Sequence, residues 1–138
     1  GKKIYEKLRR ESDKTVYYVD GGIDQDIREE HKKKMEAGED VVIVASYGTF
    51  STGISIKKIH NIFFTESFKS EVIIRQSIGR GLRQHSSKDS VNIIDFVDDL
   101  SSQDWDNYLM RHAKERQRIY REQKFKYDIK NVDFEGDI

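Results

Sequence analysis

Val41-Val42-Ile43-Val44-Ala45 is an unbroken apolar run near the middle of a chain of 138 residues. A strand covered on one face alternates apolar and polar residues, whereas a strand of a parallel sheet, buried on both faces, is apolar throughout. The run therefore predicts a buried parallel strand. Three further segments have a similar β-branched and aromatic texture, Thr15–Val19, 59–64 and 91–96.

Helical segments separate these strands. Residues 1–10 place Ile4 and Leu8 one turn apart among cations, and the next helix has Asp24 as its N-cap and ends at Gly38. Strands that alternate with helices predict an α/β fold with a mostly parallel sheet flanked by helices. Because a helix of a βαβ unit follows a strand, we expect that one or more N-terminal strands of the domain are missing before residue 1.

The texture of the chain changes near residue 101, where aromatic residues precede a series of cations. Trp105, Leu109 and His112 can share one helical stripe, so we expect a long helix that buries this stripe and exposes a basic face. The last segment, 128–138, is mildly acidic and poorly periodic, and we expect it to be partly disordered. We therefore predict an α/β domain over residues 1–100 and a helical extension and tail over 101–138.

Composition limits the possible functions. Lysine plus arginine equals aspartate plus glutamate at 25 each, so any nucleic-acid surface has to be local. The chain has no cysteine, its four histidines show no metal-ligand spacing, and no apolar run approaches the roughly 18 residues of a membrane span. Asp95, Asp98 and Asp99 follow the last strand, but helix capping or pairing with arginine explains them more simply than a metal. The sequence predicts a soluble cytoplasmic protein with no membrane partner and no metal site.

The loop over residues 46–55 follows the strand at Val41–Ala45 and is dense in hydroxyls and glycine. Ligands of open α/β sheets bind at the carboxyl ends of the strands. Hydroxyl groups such as those of Ser46 and Thr49 can hold phosphate oxygens without reading the bases, which suits binding to any sequence of nucleic acid. The loop is therefore a candidate phosphate-backbone site.

A second candidate site is Arg75-Gln76-Ser77-Ile78-Gly79-Arg80-Gly81-Leu82-Arg83. In a helix, Gln76, Arg80 and Arg83 fall within a stripe roughly 60° wide, because residues i, i+4 and i+7 stack on one face. Each guanidinium is a planar fork that matches phosphate oxygens two at a time. The opposite face carries three apolar residues that can be buried against a sheet, Ile74, Ile78 and Leu82.

Two glycines interrupt this helix. Gly79 and Gly81 each cost helix stability, on the order of 1 kcal/mol. A cost of that kind suggests that a ligand or another backbone approaches closely. The alternative is that the arginines belong to an ordinary solvated helix face.

Residues 76–83 resemble motif VI of superfamily 2 helicases, Gln-x-x-Gly-Arg-x-x-Arg, and match it at all four defined positions. Residues 41–46 followed by 52–56 resemble motif V, which is an apolar strand, a hydroxyl residue and a glycine-containing loop. The order and spacing resemble the second RecA-like domain of the superfamily, over about residues 1–100. Many members have aspartate two residues after the motif V glycine and a proline soon after, where this chain has Ser55 and Lys57.

The resemblance implies the C-terminal motor domain of an ATP-dependent DNA helicase that unwinds or remodels branched DNA in recombination and repair, as in phages. ATP with Mg²⁺ would be bound mainly by an N-terminal RecA-like domain, because this chain has no P-loop sequence and should be inactive alone. The partners would be that domain and single-stranded or branched DNA, with RNA left open. The implied roles are catalytic arginines at Arg83 and Arg80, ATP contacts at Gln76, Gly79, Gly53 and Ser55, and nucleic-acid contacts at Ser46, Thr49, Gly21 and Gly22.

Two other functions remain open from the residues. The chain could be a non-enzymatic nucleic-acid-binding module that uses the basic segment 111–126, or a small-molecule or phosphosugar domain whose whole site is the loop 46–55. Gly21 and Gly22 have an alternative as well, since a tight turn after a strand can need φ > 0.

Overall fold

A computed structural model describes residues 1–38, 40–53, 56–66, 70–82, 90–100 and 107–133, and for residues 51–53, 80 and 81 it describes the backbone. The chain forms two compact units. The first contains the described residues up to Phe96, and the second contains those from Val97 onward.

Helices and strands alternate along the first unit, as predicted for an α/β fold. Its elements are α1 (Lys2–Glu11), β1 (Thr15–Val19), α2 (Gln25–Ala37), β2 (Val41–Ala45), α3 (Tyr47–Gly53), β3 (Asn61–Phe64), α4 (Glu71–Gly81) and β4 (Asn92–Asp95). The second unit contains α5 (Tyr108–Glu122).

The strands of the first unit are parallel, which confirms the prediction from their apolar texture. β1 pairs with β2 from Thr15↔Val41 to Val19↔Ala45. β3 pairs with β4 from Asn61↔Asn92 to Phe64↔Asp95. Among the described residues these are two separate pairs of strands. Each pair has its carboxyl ends side by side, so the segments that follow its two strands start from the same edge.

Local side-chain chemistry sets the ends of α2, as predicted. The Asp24 carboxylate accepts a hydrogen bond from the Asp26 backbone N–H at 2.9 Å, and Gly38 is the C-cap. An N-cap carboxylate of this kind satisfies one of the helix's unpaired N–H groups. In α2, Met35 is buried and Ile27 is 48% exposed.

The segment that we predicted to be a loop, 46–55, contains the short helix α3. Ser46 starts this helix, because its carbonyl accepts from the Phe50 N–H at 2.9 Å and its hydroxyl from the Thr49 N–H at 3.4 Å. Serine, threonine and glycine have low helix propensity, so the composition of this segment did not indicate a helix. The serine N-cap stabilises this helix although the intrinsic helix propensity of its residues is low.

Buried apolar side chains in the first unit include one cluster of Val19, Met35 and Ile56. In α4, Ile74 and Ile78 are buried as predicted, and Ser77 completes the inner stripe at 0% exposure. Leu82 is 56% exposed, so its predicted burial was wrong. The reason is that α4 ends at Gly81, which leaves Leu82 outside the regular helix.

Helix α5 starts at the N-cap Asn107, whose side-chain oxygen accepts from the Met110 N–H at 2.7 Å. Of the predicted inner stripe, His112 is buried and Leu109 is half-buried, and Trp105 lies outside the described residues. Arg116 lies in the segment 111–126, for which we predicted an exposed basic face, and it is fully buried, so the prediction was wrong for this residue. Among the described helices, none is long and apolar enough to span a lipid bilayer.

Candidate nucleic-acid and nucleotide site

The turn after β1 and the start of α3 lie side by side at the carboxyl edge of the first strand pair. The Ser46 N–H donates to the Val19 carbonyl at 3.3 Å, which extends the ladder one residue beyond β2. Parallel pairing in register therefore starts the turn at Gly21 and Gly22 from the same edge as Ser46 and Thr49, and it brings Gly21 close to Thr49. These are the four residues for which sequence predicted nucleic-acid contacts.

Two hydroxyls form the centre of this edge. Ser46 is exposed and its hydroxyl donates to the Thr49 hydroxyl at 2.8 Å, whereas Thr49 is only 7% exposed. The Thr49 oxygen also lies 4.0 Å from the position that a Cβ on Gly21 would occupy. Ser46 is thus placed to meet a ligand, and Thr49 is placed to orient Ser46.

The conformation of the glycine turn excludes one explanation for its sequence. Neither Gly21 nor Gly22 has positive φ, so the alternative that the turn requires φ > 0 was wrong. A Cβ on Gly22 would approach the Asp20 carboxylate at 3.4 Å, which is ordinary van der Waals contact. Neither backbone conformation nor close packing therefore requires glycine here. What the two glycines provide is an uncovered backbone at the edge of the sheet.

Asp20 carries a negative charge next to the glycine turn, and its carboxylate accepts hydrogen bonds from two neutral donors. Its carboxylate accepts from the Gly22 N–H at 2.9 Å. A hydrogen bond from the Tyr18 hydroxyl to the same carboxylate raises the pKa of Tyr18, and partial burial and the charge of Asp20 act in the same direction. These donors stabilise the ionised form of Asp20, so its negative charge remains next to the glycine turn.

Helix α4 carries the other part of the predicted site. Gln76 and Gly79 are exposed, and a Cβ added at Gly79 would meet open space. No close contact with another part of the described chain therefore requires glycine at position 79. The neighbouring Arg75 is engaged within its own helix, since its guanidinium forms an ion pair with Glu71 one turn earlier at 2.7 Å.

The remaining predicted residues are only partly described. Arg80 lies in α4 next to Gly79, and Gly53 is the last residue of α3. Arg83 and Ser55 lie outside the described residues. Their proposed roles as a catalytic arginine and an ATP contact stay predictions. In the described part of the chain, no group of three or more histidine or acidic side chains could hold a metal ion.

One residue that sequence reasoning missed is Tyr47. Its hydroxyl donates to the Glu66 carbonyl at 2.7 Å and accepts from the Glu66 N–H at 3.2 Å. Its ring lies 6.0 Å from the ring of Phe64, which is 1% exposed. Tyr47 thereby joins the segment after β2 to the segment after β3. A large aromatic residue two positions after an apolar strand, within a run of small residues, is the sequence signal for this contact.

The sequence is similar to known helicases. The pattern of the helicase conserved C-terminal domain family matches residues 2–85. The ATP-dependent DNA helicase UvsW of Enterobacteria phage T4 is 39% identical over 142 aligned residues, which cover 96% of this chain. The chain spans 28% of the length of that relative.

The fold is similar to that of a solved ATPase fragment. The crystal structure of the C-terminal part of the Fun30 ATPase domain superposes with a TM-score of 0.59 over 87% of this chain and 44% of that one. The two sequences are 16% identical, so this similarity concerns the fold alone.

Proposed function

The chain belongs to the helicase conserved C-terminal domain family, and we propose that it is the C-terminal motor domain of an ATP-dependent DNA helicase that unwinds or remodels branched DNA. The similarity to the ATP-dependent DNA helicase UvsW supports DNA as the substrate. In the proposal, this helicase acts in phage-type recombination and repair in the cytoplasm of the host. In this proposal residues 1–100 form the motor domain and residues 101–138 form an extension.

The observation that carries the proposal is the hydroxyl pair at the carboxyl edge of β1 and β2. Ser46 is exposed and donates to Thr49 at 2.8 Å, and the Thr49 oxygen lies beside the open backbone at Gly21. A hydroxyl and backbone groups can contact a phosphate without reading the base next to it. A motor that steps along DNA of any sequence requires contacts of this kind.

The nucleotide side of the proposal rests on α4. Gln76, Gly79 and Arg80 follow one another on this helix, with Arg83 shortly after. ATP with Mg²⁺ would be bound mainly by a P-loop domain, and this chain would add contacts from Gln76 and Gly79, and from Gly53 and Ser55 in motif V. An arginine that reaches across such a cleft accelerates phosphoryl transfer by roughly 10³ to 10⁵. We assign that role to Arg83, assisted by Arg80.

The two sides together give a mechanism for movement. ATP held between the P-loop domain and α4 would favour a closed arrangement, because Arg80 and Arg83 contact the γ-phosphate only in that state. Closure would carry the Ser46 segment along the DNA backbone, and hydrolysis would release it. A ligand can drive such a change only through its different affinity for the two states, and the arginines supply that difference.

The experiment that tests this is DNA-stimulated ATP hydrolysis by a protein in which this domain follows its P-loop domain. Arg83→Ala should lower kcat by about 10²-fold or more at saturating DNA, since it removes transition-state charge stabilisation, and should leave DNA affinity unchanged. Arg75→Ala is the matched control on the same helix, because Arg75 pairs with Glu71. Its turnover should stay within about twofold of the unsubstituted protein.

Unchanged turnover for Arg83→Ala would remove the nucleotide half of the proposal. DNA binding that persisted without ATP and ignored the substitution would then favour a non-enzymatic nucleic-acid-binding module. Binding of a nucleotide by this chain alone, abolished by a Gly53 substitution, would instead favour a small-molecule domain.

A further inference from the structure

Tyr47 connects the two strand pairs of the first unit through main-chain hydrogen bonds. It directly follows Ser46 at the end of β2, and its hydroxyl is bonded to both the N–H and the carbonyl of Glu66, just after β3. A side chain that is bonded to both polar groups of one peptide residue fixes the position of that residue. The end of β3 therefore cannot shift relative to Ser46 without breaking two hydrogen bonds.

This connection runs from the proposed nucleic-acid contacts to the helix that carries the proposed ATP contacts. On one side is the Ser46 and Thr49 hydroxyl pair, proposed to contact nucleic acid. On the other side, Glu66 precedes Ser70, whose hydroxyl accepts from the Ile73 N–H at 3.4 Å in the first turn of α4. Helix α4 carries the residues proposed to contact ATP.

We propose that Tyr47 is a positioning residue whose hydroxyl transmits nucleic-acid occupancy at Ser46 and Thr49 to the end of β3 and to α4. The inference rests on the proposed function, because it assumes that the hydroxyl pair binds a nucleic-acid backbone. It goes beyond that function by naming the group that couples the nucleic-acid side to the nucleotide side. Tyr47 touches neither substrate in this assignment, and it acts through Glu66.

Direct packing between two helices is an alternative route for the same signal, and the test has to distinguish the two routes. Helices α3 and α4 also pack against each other directly, so a displacement of α3 could reach α4 through side-chain packing. The ring of Tyr47 belongs to the same region through its contact with Phe64. Tyr47→Phe keeps the ring and the packing and removes only the hydroxyl. It therefore separates the hydrogen-bonded route from the packed one.

The experiment is a titration of the 138-residue chain with a single-stranded oligothymidylate, followed by backbone amide chemical shifts. In the unsubstituted chain, the oligonucleotide should shift the amides of Ser46 and Thr49 and also those of Glu66 and α4. In Tyr47→Phe, the shifts at Ser46 and Thr49 should remain, and those at α4 should fall at least threefold. A purely structural role of Tyr47 would alter the spectrum of the free chain without removing the response of α4.

Two substitutions serve as controls. Tyr17→Phe removes a hydroxyl from β1, where the ring packs against His31, and should leave the response of α4 unchanged. Glu66→Ala should leave it unchanged as well, because both bonds from Tyr47 go to the main chain of Glu66. Loss of the response in either control would contradict a specific role for the Tyr47 hydroxyl.

The outcomes separate the inference from the function on which it rests. Shifts at α4 that persist in Tyr47→Phe would overturn the inference and leave nucleic-acid binding intact. Absence of any shift at Ser46 and Thr49 in the unsubstituted chain would contradict the nucleic-acid site itself, and the inference with it.

A second measurement requires no substitution and covers the case in which Tyr47→Phe fails to fold. The Glu66 amide hydrogen is held by the Tyr47 hydroxyl, so its exchange with solvent should slow at least threefold when the oligonucleotide binds. An exchange rate that stays the same at saturation would overturn the proposal.

Discussion

The hydroxyl of Ser46 donates to the hydroxyl of Thr49 across 2.8 Å, and only the first of the two residues is exposed. The two residues therefore have different roles in the proposed site. Ser46 can turn its O–H from Thr49 towards a phosphate oxygen and donate to it, whereas Thr49 holds the Ser46 side chain in one orientation when no ligand is bound. The sequence predicted both residues as direct contacts to nucleic acid, and the burial of Thr49 favours a supporting role for it.

We expect Ser46→Ala to weaken binding of single-stranded DNA by about tenfold, since a hydrogen bond to a charged group contributes about 1.5–3 kcal/mol. Thr49→Val should weaken it by about threefold, because it removes the orienting hydroxyl and retains the shape of the side chain. Fluorescence anisotropy with a labelled oligonucleotide at fixed salt would measure both. Thr15→Val is the matched control, because it makes the same change at the opposite end of β1. Equal losses in all three variants would contradict the site.

Gly38→Ala should lower the free energy of unfolding by about 1–3 kcal/mol, the usual cost of overpacking. The added Cβ would lie 2.7 Å from the Val41 Cγ2 atom and 3.2 Å from the Lys34 carbonyl, so strand and helix would have to move apart. Urea denaturation would measure the change. Gly48→Ala is the matched comparison, because nothing lies within 4 Å of its new methyl group. A loss of stability as large in Gly48→Ala would contradict this steric explanation.

Gly79→Ala should raise the stability of the domain and lower its ATP turnover. The new methyl group would meet open space within the chain, so the helix should gain up to about 1 kcal/mol of stability from the better helix former. If ATP approaches α4 closely, turnover in the protein that includes the P-loop domain should nevertheless fall. Thermal unfolding and ATP hydrolysis of the same variant would check this. Higher stability with full turnover would mean that no ligand uses the space at Gly79.

Asp20→Asn should lower the pKa of Tyr18 towards its ordinary value, because the hydrogen bond to the Asp20 carboxylate is the largest cause of the raised pKa. A raised pKa in the folded state means that the neutral phenol contributes stability below the ordinary tyrosine pKa. That contribution is lost as the pH rises through the folded-state pKa. Titration of labelled tyrosine by NMR would measure the shift. Asp26→Asn, in α2, should leave the Tyr18 titration unchanged.

The strands and helix caps could be predicted because their signals are local. Val41–Ala45 is apolar on both faces, and the observed strand has the predicted bounds. Asp24 and Gly38 act within one turn of their own helix, so their roles follow from residue type and position. Motif VI is equally local, so the sequence alone was sufficient to indicate the family.

Other features depend on contacts that no sequence window contains. The Tyr47 hydroxyl meets a residue 19 positions away, and nothing in residues 46–55 indicates that partner. Arg116 shares a helix with exposed cations, and tertiary packing alone decides that it is the buried one. Leu82 has the period of the inner face of α4, yet the helix ends one residue too early to bury it.

Parallel pairing of the strands also has a consequence for the order in which the chain folds. Thr15 meets Val41 and Asn61 meets Asn92 only after a helix-containing crossover has brought the two strands together. Loop-closure entropy delays such contacts, whereas the hydrogen bonds of α2 span four residues and form early. Pulse-labelled hydrogen exchange during refolding should therefore protect the amides of α2 before those of β1 and β2. Protection of the strands first would contradict this order. The edge that holds Ser46 would then be among the last parts of the domain to assemble.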